Sequence, residues 1–132
     1  MSKTRAMPGY QAGRNRRKDV LIVIADYNVN PLADIGVGFS NYGASGAVEV
    51  ALGPAVVGRR HTFLVETAQV LRPTIESDEK MTIPGAAGAA GTLGATGKGI
   101  QADAAGESVT VVCNVNKIWA VEESKGTWTA EA

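Results

Sequence analysis

Cysteine and histidine are almost absent: Cys113 and His61 stand alone in 132 residues. One cysteine excludes a disulfide within the chain. One of each also excludes a structural zinc site, which takes four ligands of these types. Aromatics make up only 5%, so the core has to be built from Val, Ile, Leu and Ala. The longest aliphatic run of the N-terminal half, "VLIVIA" at 20–25, falls far short of the ~20 residues of a membrane-spanning helix. It is also too short for the apolar region of a cleaved signal peptide, so the protein is expected to fold in a cytoplasm. The formal charge is zero, so no overall field steers a charged partner.

What is present is aliphatic and glycine-rich. Hydrophobic residues reach 45% and glycine numbers 16, enough for one domain with a real core and no disulfide staples. The neutral total hides an asymmetry. Lys3, Arg5, Arg14, Arg16, Arg17 and Lys18 fall in the first eighteen residues with no acid among them. The rest of the chain is correspondingly acidic. Pro8, Gly9 and Gly13 interrupt any period, so residues 1–18 read as an extended basic arm and 19–132 as a single β domain.

Strand signals dominate that domain. "DVLIVIADYNV", 19–29, reads as one strand buried on both faces, ended by Asn30-Pro31. Residues 31–46 are rich in Gly, Asn and Ser and read as loop. "AVEVALG", 47–53, alternates as a strand. The stretch 59–76 reads as two strands with a kink or bulge near Thr67–Gln69, and "KMTIP", 80–84, as a short strand after the polar turn "ESDE". In "ESVTVVCNVNKIWAVEES" the residues Val109, Val111, Cys113 and Val115 share one parity. "NVNK" supplies the hairpin turn into "IWAVE". "KGTWTAE" closes as a strand carrying Trp128. Short strands, glycine-rich turns and no helical period predict an all-β fold, a small β-sandwich or barrel.

The most conspicuous motif is "GAAGAAGTLGATGKG". Gly85, Gly88, Gly91, Gly94 and Gly97 repeat every third residue. A phosphate-binding P-loop needs four residues between its glycines, a Ser or Thr after Gly-Lys, and a following helix. Here the spacing is five, Gly99 follows Lys98, and a strand comes next. Collagen has the same period, but its triplets depend on proline, and these have none. What remains is a low-bulk Gly/Ala loop that lets backbones approach closely, and these five glycines are candidate intersubunit contacts.

No cofactor, metal or catalytic site is expected. Glu76, Asp78 and Glu79 read as a solvated acidic turn. Asp103, Glu107 and Glu66 have no spacing that makes them an acid–base pair. Cys113, in an apolar run, reads as a buried small hydrophobe. Nucleic-acid binding through the arm is the weaker reading, because "RNRRK" offers few charges and Tyr10 is the arm's only aromatic.

Three pieces carry a family resemblance. Phe63, Val65, Ala68, Leu71 and Arg72 lie before the Pro-Gly-Ala loop. Gly106, Glu107, Ser108, Val109 and Cys113 form the second piece, and Trp119, Val121, Gly126, Thr127 and Trp128 the last. Over residues 56–132 the chain resembles small structural proteins of tailed-bacteriophage virions: head decoration (cement) proteins and tail-fibre-type β modules. The resemblance implies a β-rich, homotrimeric, non-enzymatic virion protein with no membrane partner. In that role it would sit on the capsid surface and bind the major capsid protein, clamping neighbouring subunits. The basic residues of the arm would be the capsid contacts. The alternative is a tail-fibre, spike or neck component. A carbohydrate- or host-surface-binding module is a third reading, requiring Trp119 and Trp128 to form an exposed stacking platform.

Overall fold

The computed structural model describes residues 16–17, 19–85 and 91–131. Lys3, Arg5, Arg14 and Lys18 of the expected arm, and Gly88 of the glycine run, lie outside the described residues.

Among the described residues the fold is all-β, with no helix. The first strands in chain order are β1 (Arg16–Arg17), β2 (Val20–Ile22), β3 (Tyr27–Asn28), β4 (Gly38–Ser40), β5 (Val48–Ala51), β6 (Arg60–Leu64) and β7 (Leu71–Thr74). Then follow β8 (Lys80–Ile83), β9 (Thr92–Leu93), β10 (Ile100–Gln101), β11 (Ser108–Val115), β12 (Ile118–Lys125) and β13 (Thr129–Ala130). One sheet runs β1-β2-β4-β6-β11-β12-β8-β9. The second has β3-β5-β7, extended towards the β10-β13 pair by the Leu71↔Ala102 bridge.

Strand order shows how the chain winds. From β2 to β8 it alternates between sheets, one strand at a time, and successive strands within each sheet are parallel. Leu21 pairs with Phe39 and Phe39 with Phe63; Tyr27 pairs with Val50 and Val50 with Pro73. Residues 20–74 therefore form three stacked coils, β2/β3, β4/β5 and β6/β7. The antiparallel hairpin β11–β12 then inserts between β6 and β8 and completes the large sheet.

The core lies between the sheets. Phe39, Val48, Val50, Leu52, Phe63, Leu71, Met81, Ile100 and Trp119 are fully buried. At ~25 cal/mol per Å² such burial is the main favourable term. Phe39 joins Tyr27, Phe63 and His61 at centroid distances of 5.5–5.7 Å, so the few aromatics form one continuous row across the coils.

Several expectations are corrected. Residues 19–29 are two strands, not one. The chain bends at Ile24–Ala25 and crosses to the other sheet, leaving Ile24 64% exposed. The stretch 31–46 is not all loop. It contains β4, whose three residues are all buried. Gly38 sits there because a Cβ would come within 3.2 Å of the Thr62 carbonyl. Residues 85–99 contain β9, antiparallel to β8. Val115 is 59% exposed despite its parity, because irregular pairing between Val112 and Val115 breaks the alternation. Trp128 precedes β13 instead of lying in it.

Two expectations hold. The kink near Thr67–Gln69 is the turn between β6 and β7. Asn116–Lys117 turns the β11–β12 hairpin, with Lys117 at φ 74°. Pro73 lies inside β7 and limits its outer ladder. Leu71 and Ala102 exchange both backbone bonds, but the next such pair would need an N–H from Pro73, which has none.

Candidate interaction surface

Each coil crosses between the sheets at two ends, and the two ends differ chemically. At one end the turns are held by buried polar side chains. Asn41 is fully buried. Its Nδ2 donates to the Thr67 and Gln69 carbonyls at 3.0 Å, and its Oδ1 accepts from the Glu66 and Thr67 N–H groups at 2.8 and 3.1 Å. One amide thus meets four backbone groups of the next coil. Ser40 donates to the Glu66 carboxylate, and Thr67 Oγ1 accepts from Gly43 N–H at 2.7 Å.

The resemblance motifs meet at this same end. Glu107 accepts from Ala104 N–H at 2.8 Å and from Thr127 N–H at 2.7 Å. Trp128 Nε1 donates to the Ser108 carbonyl at 2.9 Å. A Cβ on Gly126, at φ +84°, would fall inside the Glu107 side chain. Glu107 and Asp103 share the wall of a shallow groove of about 250 Å³ with Gln101, Thr127 and Thr129. Both carboxylate oxygens of Glu107 are held by backbone donors, so it is a lock on the chain's C-terminal turn and not an available base.

The opposite end holds the other polar cluster. Asp34 is buried, and its Oδ2 accepts from Tyr27 Oη at 2.7 Å and Asn30 N–H at 2.9 Å. His61 is buried between Phe39 and Trp119. Its Nε2 faces Arg59 Nη2 at 3.2 Å, and the guanidinium can only donate, so Nε2 accepts. Nδ1 then carries the proton and donates to the Val37 carbonyl at 2.8 Å. Burial, reinforced by the Arg59 charge, pushes the imidazole below its ordinary value, against the opposing pull of the Val37 carbonyl and Asp34. With both nitrogens engaged, His61 has no lone pair for a substrate. Arg59 also donates to the Pro54 carbonyl at 2.6 Å and lies 5.2 Å from the Trp119 ring centre.

Glu76, Asp78 and Glu79 bring their carboxylates within 4.8 Å of one another. The expectation of a solvated acidic turn is corrected at Glu79. Glu79 is buried and accepts from Ala55 N–H at 2.6 Å and Glu76 N–H at 3.2 Å. Asp78 is paired with Lys117, which holds its carboxyl below the usual range. The cluster fastens the third turn to the second and to the hairpin.

Around these fastened turns several large apolar side chains are exposed. Leu32 is 85% exposed, Ile35 76%, Val56 51%, Val57 58% and Val115 59%. Leu32 and Ile35 lie between β3 and β4, Val56 and Val57 between β5 and β6, and Val115 at the end of β11, all at this end of the fold. Ile35 lines a cavity of about 130 Å³ with Pro31, Gly58 and Arg60. Val57 N–H bonds Asn116 Oδ1 at 3.0 Å, and Gly58 N–H bonds the Cys113 carbonyl at 3.0 Å, beside Val115. Neighbouring charges are already paired within the chain: Arg60 with Glu122 at 2.5 Å, and Lys117 with Asp78. Exposed apolar side chains gathered at one end of a fold are candidates for a protein contact. Nothing in the sequence pattern singled out this rim, because its residues come from three separate segments of the chain.

Of the residues expected to act, Arg16 and Arg17 form β1 against β2. Gly91, Gly94 and Gly97 pack against their own chain. A Cβ on Gly91 would lie 2.5 Å from the Ile83 carbonyl, one on Gly94 2.9 Å from that of Met81, and one on Gly97 3.2 Å from that of Ser77. The close approach inferred from the triplets is therefore made to β8 and the turn before it. Gly85 is exposed. Cys113 is buried as expected, with its thiol pushed up by burial. Trp119 and Trp128 are 0% and 3% exposed, so they form no stacking platform for sugars. No protein-family model and no curated protein matches the chain.

Proposed function

We propose that this protein is a bacteriophage capsid decoration (cement) protein, a non-enzymatic virion component that binds the outer shell across neighbouring major capsid subunits. The observation that carries the reading is the apolar rim of Leu32, Ile35, Val56, Val57 and Val115, set on turns whose polar side chains are engaged in holding the chain together. Such a body offers contact area, and among the described residues the buried side chains of Asp34, Asn41, His61 and Glu79 are engaged in holding the fold. Stabilisation of the shell would be additive: rupture must also break the interface that each copy buries. The resemblance of residues 56–132 to phage virion proteins supplies the particle, and the basic residues before Asp19 supply a second contact, to an acidic capsid surface. The trimer that the resemblance carries is part of the proposal.

Quantified gels of purified particles test it. Copies comparable in number to the major capsid protein are expected; a handful per particle would move the protein to the tail or neck. Ile35→Glu and Val57→Glu should lower attachment to undecorated shells while leaving the thermal unfolding of the free protein unchanged. Undiminished attachment of both variants overturns the rim as the capsid contact.

A further inference from the structure

Arg59 is the exception among the charges beside the rim. Among the described residues the ion pairs are Arg60–Glu122, Arg72–Glu49 and Lys117–Asp78, and Arg59 is in none of them. Its guanidinium donates to the Pro54 carbonyl and to His61 Nε2, neither of them charged, and lies over the Trp119 ring. A guanidinium has more N–H groups than these two acceptors use, so donors remain for a further oxygen. Burial pushes Arg59 below its ordinary value, and the through-space pull of Glu79 does not cancel the effect. Glu79 is itself turned to the Ala55 and Glu76 N–H groups. A partly desolvated cation of this kind gains from a carboxylate brought by a partner.

Arg59 borders the cavity lined by Ile35, of about 130 Å³. The lining is of two kinds. Pro31 and Ile35 are apolar, while Arg59, Arg60 and His61 are polar. Gly36 and Gly58 complete it, and a Cβ on either would meet nothing within 4 Å, so that side stands open. Asp34, in the same turn as Ile35, is committed to Tyr27 Oη and Asn30 N–H.

Size and chemistry select the occupant. Sites for free small molecules run to ~300–1,000 Å³, so this cavity is scaled to one side chain. Methylenes suit Pro31 and Ile35, and a carboxylate suits the remaining donors of Arg59. Glutamate carries both. A nucleic-acid phosphate has no apolar stem to lay against Pro31 and Ile35.

We propose that this cavity receives a glutamate side chain of the docked partner protein, with its carboxylate on the Arg59 guanidinium and its methylenes against Pro31 and Ile35. The exposed apolar residues then supply contact area, and Arg59 fixes the register of docking. The site rests on the reading of the rim as a protein contact, but its chemistry is open to measurement on the free chain.

Butyrate carries the carboxylate and stem of a glutamate side chain. In NMR of the full chain at about pH 7.5, where His61 is neutral, butyrate is expected to shift the His61 ring signals and the Gly36 and Gly58 amides saturably. Acetate, lacking the stem, should bind at least ~3-fold more weakly, and neutral butyramide should have no effect. Arg59→Gln should weaken butyrate at least ~10-fold. Arg59 also holds Pro54, so the comparison of butyrate with butyramide on the unaltered chain decides if that variant does not fold. No saturable shift up to about 100 mM butyrate, or butyramide or inorganic phosphate matching butyrate, overturns the site. Arg59→Gln should also lower attachment to undecorated shells at least ~10-fold, and undiminished attachment overturns glutamate capture. If the unaltered chain does not attach, the decoration reading fails, and the butyrate titration still decides the site.

Discussion

Phe39 stacks on Phe63 across neighbouring parallel strands, with ring centroids 5.5 Å apart and planes inclined by 24°. The pair joins the second coil to the third at the centre of the core, and both rings are fully buried. Phe39 also meets Tyr27 and His61, so it is the hub of the aromatic row. Phe39→Ala should therefore cost about 4 kcal/mol, the middle of the range for truncating a buried aromatic. Urea denaturation monitored by Trp fluorescence reads this as a lowered midpoint.

Asn41 should matter as much as a large core residue although it is polar. Its side chain meets two carbonyls and two N–H groups of the following turn. Asn41→Ala leaves buried backbone groups without partners, at a cost of about 3 kcal/mol. Asn41→Asp keeps the acceptor but points an anion at the Thr67 and Gln69 carbonyls, and should be no better. Equilibrium unfolding of both variants checks this; a loss below about 1 kcal/mol in either would contradict the lock.

Two glycines give opposite expectations for the same substitution. A Cβ on Gly99 would overlap the Pro73 carbonyl, while one on Gly46 meets nothing within 4 Å. Gly99→Ala forces apart the backbones of β7 and β10 and should cost about 2 kcal/mol or more. Gly46→Ala should be neutral or stabilising by up to about 1 kcal/mol, through a less flexible unfolded chain. Paired thermal melts distinguish them.

His61 sets a pH dependence whose sign is fixed by its burial. The folded protein binds its proton less readily than the unfolded chain, whose histidine titrates near the ordinary 6.5. Below that value the unfolded state takes up more protons, so stability falls as pH drops from 6.5 towards the lowered native value. Above 6.5 the contribution is complete and flat. As the only histidine, it accounts for the side-chain titration in this window. Stability measured between about pH 7.5 and 5.5 should decline in the wild type, and the decline should vanish in His61→Gln whatever that variant's absolute stability.

Much of the local structure was legible because it depends on neighbours in sequence. β5, β8 and the β11–β12 hairpin follow from alternation and turn residues, and the bend near Thr67–Gln69 follows from the break in that alternation. β4 was not legible. Gly36, Gly38, Asn41 and Gly43 give its surroundings a loop composition, and Phe39 is buried only because β2 and β6 flank it. The strand 19–29 failed for the complementary reason. A continuous aliphatic run does not show where the chain changes sheets, and the corner at Ile24–Ala25 comes from packing.

By itself the sequence determined an all-β body without an internal disulfide, the turn of the β11–β12 hairpin and the bend near Thr67–Gln69, and a glycine run that lacks the spacing of a phosphate loop and the prolines of collagen. Each of these follows from residue identity or short-range spacing. Only the tertiary structure decided that the first strands wind as parallel coils, and that Asn41, Glu79 and Glu107 hydrogen-bond backbone groups of distant turns. It also decided that Leu32, Ile35, Val56, Val57 and Val115 share one rim. These features join residues far apart in the chain, and parallel pairing leaves no local pattern because its partners are a full coil away.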